Sequence, residues 1–387
     1  MRLVRHLFLI ALCTVAVAAT ACVGSSGAAS TEHVPARCAA KSRPATPLLV
    51  RLRVQPGAKQ AACIGRTYLN IVAPDWDGVA KDVHAADPTV RVWETRSLQY
   101  AFTPCSGCPQ PGLDLTQVRD DHPDWILHDA AGEEVHPPDH PTWVMMDISN
   151  VDYLQAWADA AEKDLTDGGW TGAVLVDAGN GPAWISPPID PATGIPMTDE
   201  AHATYLAQAM ATVRGGLKTH GFSMIAENGP FTIVEGSQIG SSDAVSVGRG
   251  FALLQGEAWE ALFRYFEEAI DRRVGAWVWD DERSLTHGQR VFGLASYLLV
   301  SGLDSAYAVT PGNDEALYDL NPGIPADVPA RRDGALVRAF DSGAVAVNPG
   351  QAPAVIELPG ESKSFTLPPG GAVIDVKGKL TVSYASP

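Results

Sequence analysis

Acidic residues recur in this sequence at the ends of short runs of apolar, β-branched residues. These acids are Asp75, Asp77, Glu94, Asp147, Asp177, Glu227, Asp280, Asp281 and Glu282. In a barrel of parallel strands the carboxyl ends of all strands meet at one face, so we expect these side chains to share one crevice. Like charges in one crevice raise some pKa values and leave other carboxyl groups ionised, so one site can hold both an acid and a base. Each acid taken alone could instead cap a helix.

Two of the acids match the needs of glycoside hydrolysis, in which one carboxyl group donates a proton and another acts as nucleophile or base. Asp177 and Glu227 end consecutive expected strands, and adjacent strand ends can bring carboxyl groups to about 5–6 Å, the spacing of a retaining pair. Trp76 and Trp279 lie in the same segments, and flat indole faces pack against sugar rings. The other residues expected to contact a sugar are Asp75, Glu94, Asp147, Asn180, Asn228 and Asp281.

The elements that must position these residues alternate along the chain. Eight apolar runs are typical of strands covered on both faces: Thr67–Ala73, Val90–Glu94, Trp143–Ile148, Gly172–Asp177, Phe222–Glu227, Asp243–Val247, Val274–Trp279 and Asp304–Val309. Amphipathic helical segments lie between most of them. The alternation predicts an α/β fold, a (β/α)8 TIM barrel over residues 61–330. A doubly wound open sheet is the alternative, but no glycine-rich phosphate loop follows the first expected strand.

Two further segments complete this organisation. Residues 95–142 are too long for an ordinary connection between strands, and we expect them to form a wall of the substrate cleft. After residue 330 the sequence changes to alternating apolar and polar residues broken by turn signals. Residues 331–387 are therefore expected to form a small antiparallel, sandwich-like β-domain.

The N-terminus has the features of an export signal. Residues 1–6 are basic, and the apolar run Leu7–Ala19 is shorter than a membrane span requires. The run Ala19-Thr20-Ala21-Cys22 resembles a bacterial lipoprotein box. This resemblance implies a signal peptide over residues 1–21, a lipid on Cys22, and a lipid-anchored protein on the outer face of the cell membrane. A plain cleavage site with an incidental Cys22 is the alternative. Residues 22–60 are expected to form a flexible tether.

The remaining cysteines form an even set. Cys38, Cys63, Cys105 and Cys108 would lie in an oxidising compartment, which favours two disulfides. Of the three possible pairings we favour Cys38–Cys63 with Cys105–Cys108, because both loops are then short. A redox-active Cys105-x-x-Cys108 site is the alternative. His136 and His140 could bind a metal, but they lie in a Pro-rich loop, and we expect neither a metal nor a cofactor.

The composition limits the classes of partner. Apolar residues make up 46% of the 387 residues, which excludes a disordered chain. The 45 acidic and 28 basic residues give a net charge of −17, so binding to nucleic acid is not expected. We expect a monomer that acts on a polysaccharide or oligosaccharide.

Four motifs occur in a fixed order along the chain. They are Asp87-Pro88-x-Val90-x-Val92, His122-Pro123-Asp124-Trp125, Met146-Asp147-Ile148-Ser149-Asn150 and Gly169-x-x-Gly172-x-x-Leu175-Val176-Asp177. This order resembles a family of bacterial glycosyl hydrolases with a (β/α)8 barrel, distantly related to the alpha-amylase-like and polygalactosaminidase families. The resemblance covers roughly residues 66–350 and includes Arg338-Ala339-Phe340-x-x-Gly343 near its end.

The resemblance also implies roles for individual residues. In the amylase-like layout Asp177 would be the nucleophile, Glu227 the general acid/base and Asp280 a support of the transition state. One position departs from the family pattern. Arg249, in Gly248-Arg249-Gly250-Phe251, lies where an acidic residue often precedes Gly-Phe. We count Arg249 with the sugar-contacting residues.

The sequence therefore favours a glycoside hydrolase that cleaves an extracellular or cell-envelope polysaccharide by a two-carboxylate mechanism. Two other classes of function stay open. One is a non-catalytic, carbohydrate-binding surface lipoprotein on a degenerate barrel, for which Arg249 is the best clue. The other is a structural envelope protein whose C-terminal β-domain mediates contact.

Overall fold

The computed structural model describes residues 46–105, 108–138, 140–179, 184–227, 239–248, 250–280, 284–309, 315–359 and 364–383. All of them belong to one compact unit, residues 33–387. The predictions for the signal peptide, Cys22 and Cys38 lie outside the described residues. The same holds for Asn180, Asn228, Arg249, Asp281 and Glu282.

Eight parallel strands close into a barrel. They are β1 (Leu48–Arg51), β2 (Asn70–Ala73), β3 (Arg91–Ser97), β4 (Gly172–Leu175), β5 (Ser223–Ala226), β6 (Ala244–Val247), β7 (Gly275–Asp280) and β8 (Ala306–Val309). Each strand pairs with the next, and β1 pairs with both β2 and β8, which closes the ring. The predicted (β/α)8 TIM barrel is confirmed.

The helices of the described ranges are α1 (Ala58–Thr67), α2 (Val79–Ala86), α3 (Leu115–Asp121), α4 (Val151–Gly168), α5 (Asp199–Thr219), α6 (Gly256–Asp271) and α7 (His287–Leu299). Local sequence explains where several begin. The Asn150 side chain accepts hydrogen bonds from the first backbone N–H groups of α4, and Thr286 with Gln289 forms a capping box on α7. None of these helices is long and apolar enough to cross a membrane.

The prediction that Trp143–Ile148 forms a barrel strand is wrong. Val144–Met145 pairs antiparallel with Tyr100–Ala101, inside the long insertion after β3. Its side chains divide between two cores: Met145 packs with Tyr100 and Phe102 in a separate cluster. The other apolar side chains of the run belong to the main core, and these are Val144, Met146 and Ile148. The missing barrel strand is β1, which lies within residues 22–60, the range expected to be a tether, and α1 also begins there. A buried run of only three apolar residues after Pro47 is too short to stand out in the sequence.

The barrel interior is filled by side chains from alternate positions of the strands. These are Leu49, Val72, Trp93, Val174, Ile225, Ala244, Trp277, Trp279, Ala306 and Ala308. Because successive side chains of a strand point to opposite faces, this set identifies which residues of each strand face inward. The other face of each strand packs against the helices.

The insertion between β3 and α4 lies at the carboxyl end of the barrel. It contains α3, the short 3₁₀ helix Pro123–Trp125, and the strand Gln110–Pro111, which pairs with the end of β3. Cys105 and Cys108 form a disulfide in it, as predicted. Cys63 also takes part in a disulfide, but Cys38 lies outside the described residues, so the Cys38–Cys63 pairing stays a prediction.

The C-terminal residues form the predicted antiparallel β-domain. Its strands are β9 (Ala330–Arg332), β10 (Ala335–Phe340), β11 (Gly343–Asn348), β12 (Ala354–Glu357), β13 (Ser364–Leu367), β14 (Gly371–Val376) and β15 (Lys379–Ser383). Five of them form one sheet in the order β9-β10-β11-β14-β15, and β12 pairs with β13. Side chains of both sheets, among them Val337 and Ile356, share one apolar core.

Arg338 ties this domain to the barrel. The side chain is 6% exposed, and its guanidinium donates hydrogen bonds to the backbone carbonyls of Leu298, Leu299 and Ser301 at the end of α7. These carbonyl groups have no partner within the helix, and a cation near a helix C-terminus is favourable. The arginine of the C-terminal motif therefore has a structural explanation.

Candidate active site

Four side chains meet at the carboxyl end of the barrel, and we call them the mouth cluster. They are Arg51 on β1, Glu227 directly after β5, Ser246 on β6 and Trp279 on β7. Arg51 and Trp279 each follow an inward-facing residue by two positions, Leu49 and Trp277 respectively, so they face inward at the next level.

The contacts of the mouth cluster are ionic and aromatic. The Arg51 guanidinium forms an ion pair with the Glu227 carboxylate, which is almost completely buried. The same guanidinium lies 4.4 Å from the centre of the Trp279 ring, and Trp279 Nε1 donates a hydrogen bond to Ser246 Oγ. Strands β1 and β5 are opposite one another in the ring of eight. The Arg51–Glu227 pair therefore spans the centre of the barrel mouth.

Arg51 is a functional candidate that sequence reasoning missed. It was missed because β1 was assigned to the tether. The signal that could have found it is the run Leu48-Leu49-Val50-Arg51, in which a cation ends an apolar strand as the acids do on other strands.

Asp177 follows β4 but is directed toward the segment after β3. Its carboxylate accepts hydrogen bonds from Ser97 Oγ (2.6 Å), Leu98 N–H (3.0 Å) and Gln99 N–H (2.7 Å). Burial raises the pKa of Asp177, and these hydrogen bonds act against that rise. Since β4 lies between β3 and β5, the carboxylate is oriented to the side away from Glu227. The geometry gives Asp177 a supporting position.

Gln99 and His202 extend this support, and neither was predicted. The Gln99 amide donates to the Asp177 carbonyl, and its oxygen lies 2.7 Å from His202 Nε2, which must therefore be the donor. Burial lowers the pKa of His202 to about 4, so the ring is neutral. The Trp184 ring meets His202 edge-on at 5.3 Å. Together these contacts hold the segment after β4 against the segment after β3 and against α5.

Asp280 lies on the outer face of β7, because the inward position is Trp279. Its carboxylate accepts hydrogen bonds from Ala252 N–H (2.9 Å) and Tyr307 Oη (3.0 Å). A Cβ atom at Gly293 of α7 would lie 2.4 Å from Asp280 Oδ2, so only glycine leaves room for this carboxylate. The structure therefore places Asp280 between β7, β8 and α7 rather than in the mouth cluster.

Glu94 also faces away from the barrel axis. Its carboxylate pairs with the Arg96 guanidinium, which in turn lies 2.9 Å from Asp164 of α4. Burial raises the pKa of Glu94 to about 7, opposed by the positive charge of Arg96 and reinforced by the negative charge of Asp75. Glu94 is thus an internal ion-pair residue of the wall between β3 and α4.

Asp147 lies in the insertion and not at the end of a barrel strand. Its carboxylate accepts hydrogen bonds from the backbone N–H and the hydroxyl of Ser149, just before α4. The two histidines considered as metal ligands both contact Trp143. His136 Nδ1 lies 2.6 Å from the Trp143 carbonyl, and the His140 ring stacks on the indole at 4.2 Å. Within the described ranges, no group of three His, Cys, Asp or Glu side chains is arranged to hold a metal ion.

A cleft of about 370 Å³ opens on the same face as the mouth cluster, beside the loops after β1 and β2. Its lining includes the predicted residues Asp75 and Trp76, with Asp77, Gln55, Gln110 and the Cys105–Cys108 disulfide. The Gln110 amide donates to the Asp75 carboxylate, which connects the insertion to the β2 loop. The described lining carries two carboxylates and no basic side chain, so it suits a neutral or cationic ligand.

The arrangement as a whole brings together a buried carboxylate, a guanidinium and an indole face beside a polar cleft. A carboxylate at the centre of a barrel mouth lies where the enzymes of this fold act on their substrates. Of the three residues assigned catalytic roles, Glu227 alone belongs to the mouth cluster.

The comparison with sequence families agrees with this geometry. Residues 99–344 match the model of hypothetical glycosyl hydrolase family 15, which is more than half of the chain. No curated protein is similar enough in sequence to count as a relative.

Solved structures are similar in fold. A variant of the GH36 α-galactosidase AgaA from Geobacillus stearothermophilus, in complex with raffinose, has a TM-score of 0.50 at 12% identity over 82% of this chain and 50% of that chain. The α-galactosidase AgaB from the same organism has a TM-score of 0.50 at 12% identity, over 83% and 48%. A maltogenic α-amylase from Thermotoga neapolitana has a TM-score of 0.49 at 12% identity, over 87% and 93%. This chain spans about half the length of the galactosidases that it matches.

Proposed function

This chain belongs to hypothetical glycosyl hydrolase family 15, and we propose that it hydrolyses a glycosidic bond in an extracellular or cell-envelope polysaccharide. The family match, the closed barrel and the position of Glu227 support this proposal together. The observation that carries it is the buried Glu227 carboxylate at the barrel mouth, which is paired with Arg51, while Arg51 in turn lies over the Trp279 ring.

In the proposed reaction the sugar ring lies over the mouth cluster. The transition state of glycoside hydrolysis has oxocarbenium character, and a carboxylate next to the anomeric carbon stabilises its positive charge. Trp279 is buried beneath Arg51 and supports this guanidinium from below. The cleft lined by Asp75 and Gln110 accommodates the adjoining part of the polysaccharide.

The two-carboxylate scheme predicted from the sequence pairs Glu227 with Asp177. Asp177 accepts three hydrogen bonds from the segment after β3, which favours a role for it in shaping the wall. Asp280 has a comparable role behind Trp279, since it joins Ala252 and Tyr307. We therefore assign the reaction with the substrate to the Glu227 carboxylate. Asp177 and Asp280 are assigned the role of supporting the surrounding wall.

We also propose that the protein acts outside the cell, anchored by a lipid on Cys22. The support for this is the signal-like sequence of residues 1–22 and the Cys105–Cys108 disulfide, because disulfides persist in oxidising compartments. Incorporation of a radiolabelled fatty acid into the wild-type protein, and none into Cys22→Ala, is the expected result.

The function is tested by incubating residues 23–387 with purified cell-wall and capsular glycans and measuring new reducing ends. Glu227→Gln is the blank, and Glu257→Gln, an exposed acid on α6, is the matched control. We expect cleavage of at least one glycan by the wild type and by Glu257→Gln. Binding without cleavage would favour the carbohydrate-binding lipoprotein, and the absence of both would contradict the proposal.

A further inference from the structure

We propose that Arg51 is a positioning residue, which holds Glu227 as a carboxylate at the barrel mouth so that Glu227 acts as nucleophile or base and not as the proton donor. Its part in the reaction rests on the proposed function, whereas the contact itself does not.

Arg51 and Glu227 form their ion pair across the mouth of the barrel. Arg51 ends β1, and Glu227 follows β5 on the opposite side of the barrel. Because β1 and β5 are not neighbours in the sheet, the two side chains meet only by extending to the centre of the barrel mouth. Glu227 is 3% exposed, and a buried carboxylate keeps its charge only when a cation or hydrogen-bond donors compensate the lost hydration.

The Arg51 guanidinium is supported by the Trp279 ring. Arg51 lies over the Trp279 ring at 4.4 Å, and the ring is held at its edge by the hydrogen bond from Nε1 to Ser246. A cation over an indole face is stabilised by the charge distribution of the ring. The side chain is 27% exposed, and Arg51 Nε is buried without a partner among the described residues. The guanidinium is thus fixed on one face and retains a donor.

The charge around the Glu227 carboxylate comes from its ionic partner. The charged group that contacts it in the described part of the chain is Arg51. The neighbours at the mouth on β6 and β7, Ser246 and Trp279, are uncharged. The described surroundings of this carboxylate at the mouth therefore comprise one cation and uncharged side chains.

The consequence is a defined role in bond cleavage. A proton donor must carry its proton before the reaction, and a carboxylate that its arginine partner keeps ionised does not. As a nucleophile, Glu227 would form the bond to the anomeric carbon while the bond to the leaving oxygen breaks; as a base, it would take the proton of the attacking water. In both cases a second carboxylic acid of the chain supplies the proton to the leaving oxygen.

The contact is tested without reference to activity. The protein is labelled with ¹³C at the glutamate side-chain carboxyl, and the Glu227 signal is identified by its loss in Glu227→Gln. We expect the signal to change to the protonated form at a pH about one unit or more higher in Arg51→Gln than in the wild type, with Arg51→Lys in between. Arg91→Gln, which removes an arginine paired with the exposed Asp304, should match the wild type. Equal midpoints in wild type and Arg51→Gln would overturn the inference, and Arg51→Lys decides it if Arg51→Gln does not fold.

The role is tested on the 2,4-dinitrophenyl glycoside of the sugar released in the screen, because this leaving group needs no proton. We expect Glu227→Gln to stay at least 100-fold slower than the wild type, and the acidic limb of the Arg51→Gln pH profile to lie at higher pH. Near wild-type hydrolysis by Glu227→Gln would identify Glu227 as the proton donor and overturn the assignment. A wild type that cleaves no glycan would refute the proposed function, while the carboxyl titration would still decide the role of Arg51.

Discussion

The carboxylate of Glu94 and the guanidinium of Arg96 form an ion pair on the outer face of β3, with neither side chain exposed to solvent. Arg96 also reaches Asp164 on α4, whose side chain is 41% exposed, so one buried cation is shared by a buried and an exposed carboxylate. Glu94 Oε1 has no hydrogen-bond partner among the described residues. A buried acid of this kind makes stability depend on pH.

The first prediction concerns that dependence. Burial raises the pKa of Glu94 from 4.5 to about 7, so between these values the folded protein binds a proton that the unfolded chain releases. The free energy of unfolding should therefore fall as the pH rises from about 4.5 to 7, by up to about 3 kcal/mol. Urea unfolding at pH 5, 6, 7 and 8 measures it.

The matched variant separates Glu94 from the other acids. Glu94→Gln should lose this part of the pH dependence, whereas Glu268→Gln, an exposed acid paired with Arg272 on α6, should keep it. The same slope in wild type and Glu94→Gln would contradict the assignment of the pKa.

The second prediction is that Asp177→Asn destabilises the protein. Asparagine would turn an NH₂ group toward at least one of the donors now satisfied by the carboxylate, among them Leu98 N–H and Gln99 N–H. We expect a loss of about 1–3 kcal/mol in the free energy of unfolding. Asp129→Asn is the control, because Asp129 accepts N–H groups in an exposed turn that asparagine also favours. Lost activity with unchanged stability would instead favour Asp177 as the nucleophile.

The third prediction concerns the link between barrel and β-domain. Arg338→Met should leave the carbonyls of Leu298, Leu299 and Ser301 without their buried donor, and we expect a loss of about 3 kcal/mol. Arg331→Met, which removes an exposed pair with Glu260, should cost less than about 1 kcal/mol. Comparable effects of the two substitutions in denaturant unfolding would show that the buried arginine does not couple the two parts.

The fourth prediction concerns the Cys105–Cys108 disulfide at the cleft. Closing so short a loop constrains the unfolded chain only modestly, so the double variant Cys105→Ser/Cys108→Ser should lose about 2 kcal/mol. Dithiothreitol should lower the stability of the wild type by more than that of the double variant, because the variant retains only the disulfide of Cys63. A double variant that is as stable as the oxidised wild type would show that the bond does not stabilise the wall.

The architecture could be predicted because it depends on patterns that are local in sequence. Apolar runs that end in acids, such as Gly172–Asp177 and Phe222–Glu227, alternate with amphipathic helices, and this alternation specifies a parallel sheet covered by helices. The run Trp143–Ile148 is the exception, because it pairs inside the insertion and not in the barrel. Its composition is that of a barrel strand because it is also buried, between the core of the insertion and the main core, and composition does not reveal which core a run enters.

Only the tertiary structure decided whether each acidic side chain points into the barrel mouth or away from it. Asp177, Glu227 and Asp280 all end apolar runs in the sequence, yet Glu227 points into the mouth while Asp280 points at Gly293 of α7. The reason is that barrel strands are buried on both faces, so the alternation that marks an inward face in other sheets is absent. Arg51 depended on the fold still more, because only closure of the barrel brings β1 opposite β5. The sequence by itself therefore determined which strands carry carboxylates, and closure and register decided which of them can meet a substrate.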